Sequence, residues 1–151
     1  MVYAKYSDID LRSDYETAMV HELKVNHVNA WRSIDIFSPL REYSDSAISA
    51  IIEKNNFEVI LTIKPNGTST TSRTDVSENW YGGVSSNSYD DLSGIYTIIT
   101  LTTPKNGEKI YQASTSTSLG KYTTTLAARI SLSENTVEDL KENGYFNIVK
   151  N

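Results

Sequence analysis

The chain has no cysteine at all. Disulfides, thiolate zinc sites and cysteine nucleophiles are therefore excluded. That lack leaves the redox compartment open, because a cysteine-free domain works in any. Histidine is nearly absent too, with only His21 and His27. They lie six positions apart, so they do not share a helix face at metal-ligand spacing and read as surface or loop residues. Positive charge is in deficit: 14 Lys and Arg stand against 19 Asp and Glu, and no basic run occurs. Nucleic acid and anionic lipid both demand a basic face, so neither is an expected partner. No apolar run approaches the roughly 18 residues of a membrane span, and no signal peptide is visible.

What is present is ordinary globular composition. Hydrophobic residues make up 38% and charged ones 22% of 151 residues. That length predicts a single domain over 1–151, able to bury a core without staples. Val2 to Tyr6 reads as a strand immediately after Met1. Two readings of so early a start stand side by side: a cytoplasmic protein that begins there, or a chain cut behind an export segment or anchor.

Ser13-Asp14-Tyr15-Glu16 has the form of a capping box, and Tyr15, Met19, Val20 and Leu23 follow at helical spacing. A helix over about 13–25 is expected. Val28, Ala30, Ile34 and Ile36 share one parity, which predicts a strand over 28–37, ended by Ser38-Pro39. Ser44-Asp45 opens a second helix with Ile48, Ile51 and Ile52 on one stripe, closed by Asn55-Asn56. The apolar run through Phe57, Val59, Ile60, Leu61 and Ile63 reads as a central strand. Residues 1–64 thus read β-α-β-α-β with three parallel strands.

The second half is rich in Ser and Thr. Pro65-Asn66-Gly67 is a turn signal. Residues 68–92 read as a long loop or an irregular edge hairpin. A strand from Gly94 to Thr103, a hairpin turn at Pro104–Glu108 and a partner strand from Lys109 to Ser118 follow. A closing helix over about 131–143 ends at Gly144, and 122–130 fits helix and strand equally. The expected class is α/β to α+β: a parallel start, an antiparallel hairpin and a C-terminal helix around one mixed sheet.

Catalytic motifs fail one by one. Gly120-Lys121 resembles the end of a phosphate-binding loop, but Thr115 replaces the first glycine and Tyr122 the Mg²⁺-binding hydroxyl. No Gly-x-Ser-x-Gly elbow is present. Asp8, Asp10 and Asp14 begin like a calcium loop, yet Arg12 stands near the ion position and the turn glycine and late glutamate are missing. Asn66-Gly67-Thr68 is a glycosylation sequon that chance alone supplies. No catalytic residue, metal or cofactor is expected.

Geometry directs attention to the carboxyl ends of the parallel strands, where open α/β sheets take ligands. The segments 7–12, 38–43 and 64–67 lie there, with Asp8, Asp10, Arg12, Arg41 and Glu42 as candidate lining residues. The same charges also suit mutual surface ion pairs of little energetic worth. Trp80 and Tyr81 form an aromatic patch fit for a carbohydrate or peptide, or for covering a sheet edge.

The order strand, "DIDLRSDYE" helix, "VNAWRSIDIFSPLREYSD", helix, "FEVILTIK", with the tail "KIYQASTSTS…TVEDLKENGYF", resembles a group of bacterial envelope lipoproteins of unassigned function. These are similar in fold to the small α/β domains of curli-secretion and penicillin-binding-protein activator lipoproteins. The likeness is one of pattern and covers most of the chain; the lipid-anchored cysteine is missing. It implies a location in the envelope or periplasm, a lipid anchor upstream of this chain, and an accessory role with a protein partner. It implies no catalytic residues. The alternatives are a small-ligand domain using the strand-end crevice, and a hydrolase or transferase built on Asp8 and Asp10.

Overall fold

A computed structural model describes residues 1–39, 41–78, 84–118 and 125–146. Eight elements follow in order: β1 (Val2–Ala4), α1 (Ile9–Val25), α2 (Ser33–Ile36), α3 (Asp45–Lys54), β2 (Ile60–Glu78), β3 (Val84–Thr102), β4 (Lys109–Ser118) and α4 (Thr125–Glu142). The strands form one mixed sheet in the order β1-β2-β3-β4. β1 runs parallel to β2, with Val2 opposite Leu61 and Ala4 opposite Ile63. The β2–β3 and β3–β4 pairs are antiparallel.

Strand alternation puts Val2, Ala4, Leu61, Ile63, Ile99 and Leu101 on one face, and all are buried. Two helices supply the opposing side of the core. α1 contributes Tyr15, Met19, Val20 and Leu23, and α4 contributes Leu132, Val137 and Leu140. Both sets recur at helical spacing, so each helix buries a single stripe. The α/β class, the mixed sheet, the hairpin and the closing helix all stand as the sequence pattern predicts.

Four local expectations are corrected. First, α1 starts at Ile9, with Asp8 as its cap accepting from Leu11 N at 2.8 Å. Ser13 lies inside the helix, and Glu16 turns into the protein instead of closing a capping box. Second, 28–37 is not a strand. It gives one parallel bridge, Arg32 to Val2, and then the single turn of α2. Arg32 and Asp35, three residues apart, form an ion pair at 2.6 Å, a spacing that suits helix and not strand. The parallel part of the sheet therefore holds two full strands. Third, Pro65-Asn66-Gly67 is not a turn but a bulge in a continuous β2, where Gly67 takes φ of 130°. Fourth, α4 begins by Thr125, and its buried stripe passes through Ala128 and Leu132 while Leu126 and Ile130 are exposed.

The helix ends follow one pattern. Tyr145 N bonds Leu140 O and Gly144 N bonds Lys141 O, with Gly144 at φ of 76°. Val28 N to Leu23 O and Phe57 N to Ile52 O repeat the motif, with His27 and Asn56 in the left-handed position. Gly144 and Asn55-Asn56 thus end their helices as read from the sequence. The 104–108 turn also forms, with Thr103 N bonding Glu108 O and Gly107 at φ of 68°.

Candidate functional site

The expected strand-end crevice is occupied largely by internal bonding. Asp8 caps α1, and Asp10 sits in its exposed first turn. Arg12 points back toward β1, where its Nε donates to Glu16 Oε1 at 3.0 Å and its Nη2 to Ser33 Oγ at 2.7 Å. The guanidinium also lies 5.0 Å from the centre of the Tyr3 ring. Arg41 lies over the Tyr43 ring at 5.7 Å, and Glu42 is exposed. Trp80 and Tyr81 lie outside the described residues, as do Gly120-Lys121.

At the centre of this bonding is a residue that periodicity does not single out. Glu16 is 0% exposed. Its Oε1 accepts from Ala4 N at 3.0 Å, Arg12 Nε at 3.0 Å and Ser33 Oγ at 2.5 Å, and its Oε2 accepts from Ile34 N at 2.9 Å. The carboxylate replaces the missing third strand. The outer edge of β1 offers Val2 N to Trp31 O at 2.8 Å and Ala4 N to Glu16. A buried carboxylate with four donors needs no ligand to be satisfied.

Beside this cluster lies a cavity of about 250 Å³ whose walls include Tyr6, Leu11, Pro65, Gly67 and Arg129. It falls at the carboxyl end of β1, as open α/β sheets lead one to expect, but below the roughly 300 Å³ of ordinary small-molecule pockets. Arg129 is paired with Asp14 and lies over the Tyr15 ring. Burial pushes the Tyr6 phenol well above the usual tyrosine range. Asp8, Asp10, Arg12, Arg41 and Glu42 line neither this cavity nor the larger one described next.

The larger cavity opens at the opposite end of the sheet, around the amino ends of β1 and β2. It has a volume of about 490 Å³. Val2, Leu23, Ala30, Leu61 and Leu101 of the core form its floor. Trp31, 42% exposed, and Tyr145, 40% exposed, stand at its rim with Asn29, Asn56 and Glu58. Trp31 meets Phe57 edge to face at 5.7 Å, and Tyr145 meets Tyr111 at 5.2 Å. Met1 also lines the cavity, and its backbone nitrogen donates to Val59 O at 2.9 Å. The alternation over 28–37 predicts a strand through Trp31, which the fold does not form. Residues 31 and 57 each follow a helix that ends in a left-handed residue, His27 or Asn56, and their rings come to one spot.

The third feature is the outer half of the β2–β3 hairpin. Pairing with β1 ends at Ala4–Ile63 and pairing with β4 at Gly94–Ser118. β2 and β3 continue together from Thr70–Leu92 to Glu78–Val84. That is a two-stranded ribbon of about 27 Å at roughly 3.4 Å per residue. Among the described residues, neither of its outer edges has a strand partner. Of the segment read as a long loop or an irregular edge hairpin, 68–78 and 84–92 pair as an antiparallel hairpin with a register shift between Ser69 and Thr70.

Among the described residues no group of three or more His, Asp or Glu is placed to hold a metal ion. No described helix is long and apolar enough to cross a membrane.

This arrangement defines a class: an α/β domain with a mixed four-stranded sheet, two core helices and a long central hairpin. Solved bacterial proteins share the fold. Structures of the PelC dodecamer from Paraburkholderia phytofirmans, in two crystal forms, match with TM-scores of 0.55 and 0.53 at 11% identity, covering 92% of this chain and 83% and 81% of theirs. Lipoprotein GNA1162 from Neisseria meningitidis matches with a TM-score of 0.52 at 11% identity, over 93% of this chain and 94% of its own. The fold is thus one that a bacterial lipoprotein adopts. No protein-family model and no curated protein matches the sequence.

Proposed function

We propose that this chain is a non-catalytic interaction domain on the envelope side of a bacterial cell, engaging a protein partner along the β2–β3 ribbon. The open edges of that ribbon carry the reading. Each offers a row of backbone N–H and C=O groups to an added strand. Natural sheets protect such edges with lysine or proline, and neither residue occurs in 70–78 or 84–92. Arg73 stands against Asp75, Glu78, Asp90 and Asp91 in these two segments, so the added strand is basic. The fold shared with a lipoprotein supports an envelope location and an anchor preceding the chain. The finer likeness, to curli-secretion and penicillin-binding-protein activator lipoproteins, belongs to the same proposal.

The test joins residues 69 and 94 through a two-residue Asn-Gly turn, which removes the ribbon and keeps the four-stranded body. The full chain is expected to retain a partner from solubilised envelope fractions and to release it as salt rises. The shortened chain, shown folded by circular dichroism, is expected to retain none. Equal capture by both chains would sink the reading.

A further inference from the structure

We infer that the 490 Å³ groove at the amino ends of β1 and β2 is a binding site for a neutral sugar, whose ring stacks on Trp31. The size lies within the roughly 300–1,000 Å³ of small-molecule pockets. The lining chemistry selects the ligand class. No lysine, arginine or histidine lines the groove, and Glu58 is its one charged side chain. A phosphate or carboxylate ligand finds no side-chain counter-charge and meets a like charge at Glu58. An aliphatic chain would cover the floor but make no use of the hydrogen-bonding groups that Asn29, Asn56 and Glu58 hold at the rim. A sugar has an apolar C–H face for a ring and a rim of hydroxyls for amides and a carboxylate.

The rings are held in advance. Trp31 is braced edge to face by Phe57, with their planes at 61°. Tyr145 is braced by Tyr111 at 69°, and its hydroxyl donates to Ile110 O at 2.9 Å. Trp31 nevertheless leaves 42% of its surface exposed beside an apolar floor. A rigid ring loses little conformational entropy when a ligand covers it, so preorganisation favours binding. This site is independent of the ribbon, which lies beyond the opposite end of β1.

The experiment uses the full chain with Trp80→Phe, leaving Trp31 as its only tryptophan. Its emission is followed during titration with maltohexaose and with tetra-N-acetylchitotetraose, both neutral, and separately with dodecanol. A saturable change with at least one sugar, and none with dodecanol, is expected. Calorimetry should then show Trp31→Ala weakening that sugar roughly tenfold or more, and Asn29→Ala and Glu58→Ala each weakening it several-fold. The last two substitutions fall at exposed positions and keep the test valid if Trp31→Ala does not fold. The proposal is overturned if neither sugar binds, if dodecanol alone binds, or if sugar affinity is unchanged in the folded variants.

Discussion

At the scale of single residues, Glu16 is the most consequential side chain. Four hydrogen bonds converge on it from β1, α1 and α2. Deleting a buried carboxylate leaves its donors desolvated and unpaired, including an Arg12 side chain only 16% exposed. Breaking a buried ion pair from one side costs about 3–5 kcal/mol. Glu16→Ala is expected to lower unfolding free energy by about that amount in urea titrations. Glu16→Gln keeps the Oε1 acceptor but turns an N–H donor toward Ile34 N, and its cost should be smaller, about 1–3 kcal/mol. Equal stability of Glu16→Ala and the parent would show that the carboxylate holds nothing together.

At the scale of elements, the caps decide where helices begin. Asp8 and Ser13 both have the chemistry of an N-cap, and the structure gives the role to Asp8. Asp8→Ala is therefore expected to cost about 1 kcal/mol, whereas Ser13→Ala should change stability by about 0.5 kcal/mol or less. Thermal melts of the two variants, compared with the parent, check the assignment; a larger loss from Ser13→Ala would reverse it. Why the reading from residues slipped here is physical. The fully buried stripe starts at Tyr15, and Leu11, which extends it by one turn and packs against the core, stands among the charges Asp8, Asp10 and Arg12 that hide the periodicity. The 28–37 segment failed for a different reason. Its alternation is real, but Glu16 takes Ala4 N on the edge of β1, so the segment pairs there only through Val2 N and the Trp31 carbonyl, and that competition is tertiary. Pro65-Asn66-Gly67 carries the composition of a turn, and a bulge uses the same glycine freedom without reversing the chain. Where local and tertiary preferences agree, as at the 104–108 hairpin turn and the Gly144 helix end, the elements were legible in the residues. The groove was not, because Trp31, Phe57 and Tyr145 are distant in sequence and meet only once three helix ends are set.

At the scale of the whole molecule, stability is unevenly spread. β1, the first residues of β2 and the end of β3 lie under α1 and α4, with Ile63 and Ile99 both 0% exposed. Opening that layer requires losing the core, so its amides exchange only through near-global unfolding. Among the described residues no flanking strand covers the ribbon, and a lone two-stranded hairpin is marginal in water. Hydrogen exchange should therefore separate the chain into two zones. Amides of Leu61–Ile63 and Ile99–Leu101 are expected to be the slowest, and those of 70–78 and 84–92 to exchange by far the soonest among strand residues. A strand added by a partner converts the ribbon edge into a sheet interior. On partner binding, protection should rise in 70–92 and stay unchanged in the core, because the core is already at its global limit. Uniform protection across β2 in the free chain would mean that the ribbon is braced internally. It would then have no open edge to offer, and the interaction reading would lose its footing.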